Sequence, residues 1–147
     1  MSPESRLALV SAIVAAAVLV GVIWKLTTGK AKRIRDGLQV DLAELGALKN
    51  GQPVTAFGDR ITFLQFSSEF CSQCVQTARI LGELEQQSDD VLHLEVDITN
   101  RLDLANKYNI LQTPTTLVLD RRGIVKSRIG GAPKAATLES EIGTFEI

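Results

Sequence analysis

Cys71 and Cys74 are the only cysteines among 147 residues, and just Ser72 and Gln73 separate them. Two thiols at this spacing can cycle between a dithiol and a disulfide. The loop they close is too short to staple a fold, so the pair reads as reactive rather than structural. An apolar run, Ile61 to Phe66, leads into the pair, and a helix-like stretch, Val75 to Gln87, follows it. Thr113-Pro114 comes later, just before another apolar strand. A Cys-x-x-Cys between a strand and a helix, with a later Thr-Pro, points to a thiol–disulfide centre. The first cysteine then sits at the positive end of a helix, where unpaired N–H groups stabilise a thiolate. Cys71 is expected to attack. Cys74, one turn inside, is expected to be buried and to resolve the mixed disulfide.

The elements that must position this pair are legible as periodicities. Ile61 to Phe66 reads as a buried central strand. Cys71 to Gln87 reads as a helix with Val75, Ala78, Leu81 and Leu84 on its packed face. From Val91 to Ile98 the chain alternates, with Leu92, Leu94, Val96 and Ile98 on one side and Val91, His93, Glu95 and Asp97 on the other. Arg101 to Tyr108 is a second helix. Thr115 to Leu119 and Ile124 to Ile129 are strands joined by a turn at Asp120 to Gly123, and Gly130-Gly131 ends the second of them. Pro133 suits the first turn of a last helix running to about Gly143. Upstream, leucines at 42, 45 and 48 predict a short helix over Asp41 to Lys49, Gly51 to Pro53 a turn, and Val54 to Phe57 an edge strand. Helices alternating with strands, then a hairpin, imply an α/β domain with a mixed sheet.

Leu7 to Trp24 is an uncharged apolar run, about 27 Å long as a helix, close to the thickness of a bilayer core. It predicts a single-pass anchor over residues 1–26, a basic juxtamembrane linker over 27–37 and a domain over 38–147. A cleaved signal and a buried helix are the competing readings. Lys25, Lys30, Lys32, Arg33 and Arg35 follow the run, so the positive-inside rule puts the domain in the cytoplasm of a membrane-bound protein; an extracytoplasmic domain stays open. The same charges suit anionic lipid headgroups, making the bilayer one partner. From Asp36 onward ten Lys/Arg face sixteen Asp/Glu, which argues against nucleic acid as a partner.

Taken together, FLQFSSEFCSQC, VDIT at 96–99, KYNILQTPT at 107–115 and the break at Gly130 resemble the thioredoxin superfamily over roughly Leu48 to Ile142. Small membrane-tethered bacterial thioredoxin-like proteins are the nearest overall likeness. The resemblance implies a thioredoxin fold, a mixed central sheet flanked by helices, here preceded by one transmembrane helix. It implies that Pro114 is cis, and that Thr113 and Pro114 line the site and offer backbone groups to an extended substrate. Phe70 stands where the family has Trp, and it joins them as a candidate substrate-binding residue; Phe66 and Phe70 read as core and rim packing. The family's buried acid beneath the second cysteine falls at Gln65, and the lysine paired with that acid falls at His93. His93 either takes the Cys74 proton in place of the missing base or is hydrogen-bonded to Gln65 or Glu95 with no catalytic duty.

Two cysteines and His93 make at most three zinc ligands, so neither a metal nor another cofactor is expected beyond the cysteine pair. The leading reading is an enzyme, a thiol–disulfide oxidoreductase acting on protein thiols and disulfides and recharged by a reductase or other electron donor. A cytoplasmic domain would reduce; an outward one would oxidise or reduce exported proteins. A binding or adaptor module on the same fold, and a dedicated redox partner of one membrane or sulfur-metabolism enzyme, are the alternatives.

Overall fold

The computed structural model describes residues 2–145; Met1 and the last two residues of the expected domain, 146 and 147, lie outside the described residues. In chain order the elements are α1 (Pro3–Thr27), β1 (Ala31–Arg33), α2 (Leu42–Leu45), β2 (Leu48–Lys49), β3 (Gln52–Pro53), β4 (Ile61–Ser67), α3 (Ser72–Gln87), β5 (Val91–Asp97), α4 (Leu102–Lys107), β6 (Thr115–Asp120), β7 (Val125–Gly130) and α5 (Ala135–Thr144). The main sheet has the order β1-β7-β6-β4-β5, and β2 pairs with β3 separately. β4 runs parallel to β5 and antiparallel to β6, and β6 to β7 is a hairpin, so the sheet is mixed as the alternation required.

β4 is buried at every position, the mark of a central strand covered on both faces. Its pleat sends Leu64 and Phe66 into one core with Leu94, Val96, Leu104, Tyr108, Leu117 and Leu119. Ile61 and Phe63 go into the other, with Leu81, Val118, Ile129 and Leu138. Each fully buried Leu, Ile or Phe contributes about 1.5–3 kcal/mol, so the two clusters fix both the register of β4 and the helices on its faces.

The structure corrects several expected elements. The helix over Asp41 to Lys49 stops at Leu45, because Gly46 takes the left-handed conformation at φ 63° and closes it. Leu48 and Lys49 then form β2, and Asn50-Gly51, both at positive φ, turn the chain into β3. Val54 to Phe57 is not a strand. The edge of the main sheet is instead β1, inside the segment expected to be a linker: Ala31, Lys32 and Arg33 pair with Ile129, Arg128 and Ser127. On α3 the packed face is Cys74, Thr77 and Leu81, while Val75 is 73% exposed, one position off the expected stripe. Pro133 precedes α5, whose N-cap is Lys134.

Candidate active site

Three segments converge on the cysteine pair. β4 ends at Ser67, the chain passes through Ser68 to Phe70, and α3 begins at Ser72 with Cys71 as its N-cap. Cys71 and Cys74 are joined as a disulfide with Cα atoms 5.2 Å apart. The Cys74 N–H points at Cys71 Sγ at 3.2 Å, the capping bond that a serine or aspartate makes elsewhere. The two sulfurs differ in access: Cys71 is half-buried, whereas Cys74 is 2% exposed.

The Thr113–Pro114 peptide is cis. Its loop is tied to the site by a hydrogen bond shared between Thr113 Oγ1 and Ser68 Oγ at 2.9 Å. The Gly131 N–H donates to Pro114 O at 2.9 Å and closes the far side. A third support comes from the end of β5. Asp97 Oδ1 accepts from Thr99 N and Thr99 Oγ1, which hold that carboxyl below its usual range, and Thr99 Oγ1 accepts from Glu69 N. Phe70 is 96% exposed and packs on nothing, while Phe66 is buried against Tyr108 with ring centroids 5.5 Å apart. The aromatic expected at the rim is therefore a free apolar surface. Leu111, on the Thr113–Pro114 loop, is 87% exposed, and Val75 on α3 is exposed as well.

Beneath Cys74 lies a buried polar chain. Gln65, fully buried, donates from Nε2 to Cys74 O at 2.8 Å, and its Oε1 is 3.0 Å from His93 Nε2. Both ends of the amide are thereby satisfied. Burial above all, and then the charge of Lys49, hold the His93 imidazole down at about 4, against an opposing pull from Glu85. Lys49 Nζ bonds Glu85 Oε1 and donates to His93 O at 2.7 Å, and Glu85 Oε1 also accepts from His93 N at 3.1 Å. Sequence reasoning missed Lys49 and Glu85. The signal for Lys49 was Asn50-Gly51, a hairpin dipeptide that folds β3 back on β2, the strand that carries Lys49. Among the described residues, no group of three or more His, Cys, Asp and Glu side chains could hold a metal ion.

The thioredoxin family model matches residues 49–144, which include every group described in this site. Thioredoxin from Bacillus subtilis is 31% identical over 80 residues, covering 54% of this chain and 77% of its own. Thioredoxin from Streptomyces clavuligerus is 28% identical over 110 residues, covering 75% and 92%. The fold alone is shared with Fasciola hepatica thioredoxin, at TM-score 0.52 and 22% identity over 60% of this chain and 84% of that one. With a cysteine pair capping a helix opposite a cis-proline loop, and a family match over residues 49–144, the chain belongs to the thioredoxin family and is a thiol–disulfide oxidoreductase with a Cys71–Cys74 pair.

Proposed function

We propose that this protein is a single-pass, membrane-tethered oxidoreductase of protein disulfides in which Cys71 attacks and Cys74 resolves. One observation carries the assignment of roles: Cys71 is accessible and capped by an N–H from α3, while Cys74 is sealed behind it. An accessible sulfur bonded to a helix N-terminus favours the thiolate. In the reduced state Cys71 S⁻ attacks a substrate disulfide, forming a mixed disulfide and releasing one substrate thiolate. Cys74 then attacks Cys71 Sγ, the second substrate sulfur leaves as a thiolate, and the protein is left oxidised. Two electrons pass to the substrate, and a reductase or other donor must return them. Phe70, Thr113 and Pro114 form the substrate-binding rim in this reading.

The tether is α1. It is long and apolar enough to cross a membrane, and none of its residues is buried within the chain. Its exposed Leu, Val and Ile side chains need a cover that the domain does not provide. Five Lys/Arg between residues 25 and 35 favour a cytoplasmic domain. A cytoplasmic setting favours the reducing direction.

The trapping test separates the two thiols. Cys74→Ser accumulates mixed disulfides with substrate proteins, and Cys71→Ser does not. Equal trapping by both variants would overturn the assignment of roles.

A further inference from the structure

The end of α1 is not separated from the domain by slack chain. Thr27 is its last helical residue, and the N–H of Gly29 already donates to Gly130 O at 2.9 Å. Only Thr28 lies between, and one residue spans at most about 3.6 Å. The fit at this junction is close on both sides. A Cβ on Gly29 would come 2.4 Å from Ala132 O, and a Cβ on Gly131 would come 2.5 Å from the methyl of Thr28. Gly29 is buried there.

The surface on which the anchor docks is the one that supports the site. Gly130 ends β7 and Gly131 follows it, and Gly131 N is bonded to Pro114 O. Two hydrogen bonds therefore lead from the anchor to the loop facing the cysteines. Beside the junction, a cleft of about 340 Å³ runs between β1 and that loop, lined by Lys32, Ile34, Leu111, Gln112, Arg128 and Gly130. Its apolar wall is the exposed Leu111, and its charges are basic. Lys25, Lys30 and Lys32 stand on the same short stretch, a spacing of charge that suits anionic headgroups.

We infer that the redox partner is a disulfide in the juxtamembrane segment of an integral membrane protein, whose flanking residues lie in this cleft beside the Thr113–Pro114 loop. The inference rests on the proposed membrane reading of α1 and on Cys71 as attacking thiol. With no slack between helix and domain, the cysteine pair keeps a fixed place close to the end of the anchor. Disulfides close to the membrane are met at high effective concentration, and disulfides held far from it are met rarely. The exposed Leu111 and Phe70 suit the Trp and Tyr side chains that flank a membrane span. In the exchange, reduced Cys71 and Cys74 lose two electrons and form their disulfide, and the partner's disulfide becomes two thiols.

The test uses the full chain, reduced beforehand and co-reconstituted in vesicles containing anionic lipid. Vesicle flotation first establishes insertion. Three disulfide probes are compared in single-turnover thiol labelling. One carries a cyclic Cys-x-x-Cys peptide directly after a transmembrane helix. The second carries the same peptide beyond a flexible spacer of about thirty Gly/Ser residues. The third is the soluble peptide. The membrane-proximal probe is expected to be reduced about tenfold faster than the distal one. Inserting about twelve Gly/Ser residues between Thr28 and Gly29 is expected to abolish that preference. The insertion should leave the rate on the soluble peptide unchanged, which also shows that the domain still folds. Equal rates on both tethered probes with the native junction would overturn the inference. So would a proximal probe left untouched while the soluble one is reduced, which would mean that the bilayer covers the site. A chain that does not float with vesicles, or that reduces none of the probes, would remove the underlying reading and the inference with it.

Discussion

His93 donates to Gln65, and the direction of that bond is set by Cys74. Gln65 Nε2 gives its hydrogen to Cys74 O at 2.8 Å, so the amide oxygen is the end that faces His93 Nε2 at 3.0 Å. An amide oxygen only accepts, so the imidazole carries its proton on Nε2. A neutral ring with Nε2 occupied has no lone pair there for a thiol proton, and with its pKa near 4 it is a weak base at neutral pH. His93 is therefore a positioning residue in our reading. Resolution of a mixed disulfide by Cys74 should show no His93 titration between pH 6 and 8. His93→Gln should keep the shape of that profile. An inflection near neutrality that disappears in His93→Gln would show that the imidazole is the base after all.

The same depressed pKa has a consequence for stability. In the unfolded chain His93 binds a proton below about 6.5, but in the fold only below about 4. Between these values the unfolded state holds more protons, so stability rises with pH across the window. The neutral ring's contribution is fully present above pH 6.5 and is lost as pH falls toward 4, up to about 3 kcal/mol. Carboxylates titrate in the same window, so the readout is the difference between the native protein and His93→Gln in urea unfolding at pH 7 and pH 4.5. An equal loss in both proteins would contradict the burial of His93 as a neutral ring.

Glu85 serves the edge of the sheet. β5 is the last strand, and Glu85 Oε1 accepts from His93 N while also bonding Lys49 Nζ. Removing that acceptor leaves a half-buried N–H without its partner, which costs about 1–3 kcal/mol. Glu85→Ala should lower stability by that amount and speed hydrogen exchange at the His93 amide about tenfold. Glu85→Gln, which retains an oxygen, should recover part of both effects. Unchanged exchange at His93 in Glu85→Ala would mean that the carboxylate does not guard the edge.

The strands and the cysteine helix were legible because their signals are local. The run Ile61 to Phe66 and the alternation from Val91 to Ile98 follow from the two-residue pleat, and the family resemblance pointed to the cis bond at Pro114. What escaped was decided by tertiary pairing or by a single turn residue. β1 has only three residues, two of them charged, and it is a strand because β7 has a free edge to pair. Gly46 ends α2 before Leu48, so a leucine placed on a helix becomes an exposed strand residue. Val75 fits the helical period but lies beside Cys74, and the cysteine, not the valine, turns inward. The polar chain from Lys49 to Gln65 joins residues from four elements, and no spacing in the sequence marks it.

Phe70 and Leu111 are apolar and almost wholly exposed, one preceding Cys71 in the chain and the other two residues before Thr113. Since neither is buried, Phe70→Ala and Leu111→Ser should change stability by no more than about 0.5 kcal/mol. Their contacts are available only to a substrate. Both variants should raise KM for protein disulfides severalfold and leave attack on a small soluble disulfide as it was. A parallel loss on both kinds of substrate would instead implicate the geometry of the cysteines.

The strand inside the basic segment gives a last, quantitative prediction. β1 covers the edge of β7, and Arg33 extends from it to the last helix, donating to Thr144 Oγ1 at 2.8 Å and lying 3.8 Å from Glu141 Oε1. Glu141 is only 3% exposed, and its other oxygen accepts from Ser127 Oγ. A fragment starting at residue 36 loses the β7 pairing and leaves that buried carboxylate with the serine alone. At about 1 kcal/mol for each hydrogen bond, and more for an unpaired buried charge, it should be less stable than a fragment starting at residue 28 by about 2–4 kcal/mol. Arg33→Ala in the longer fragment should reproduce only the part of that difference that comes from the Arg33 contacts to Thr144 and Glu141. Matching urea midpoints for the two fragments would mean that β1 is a tether after all.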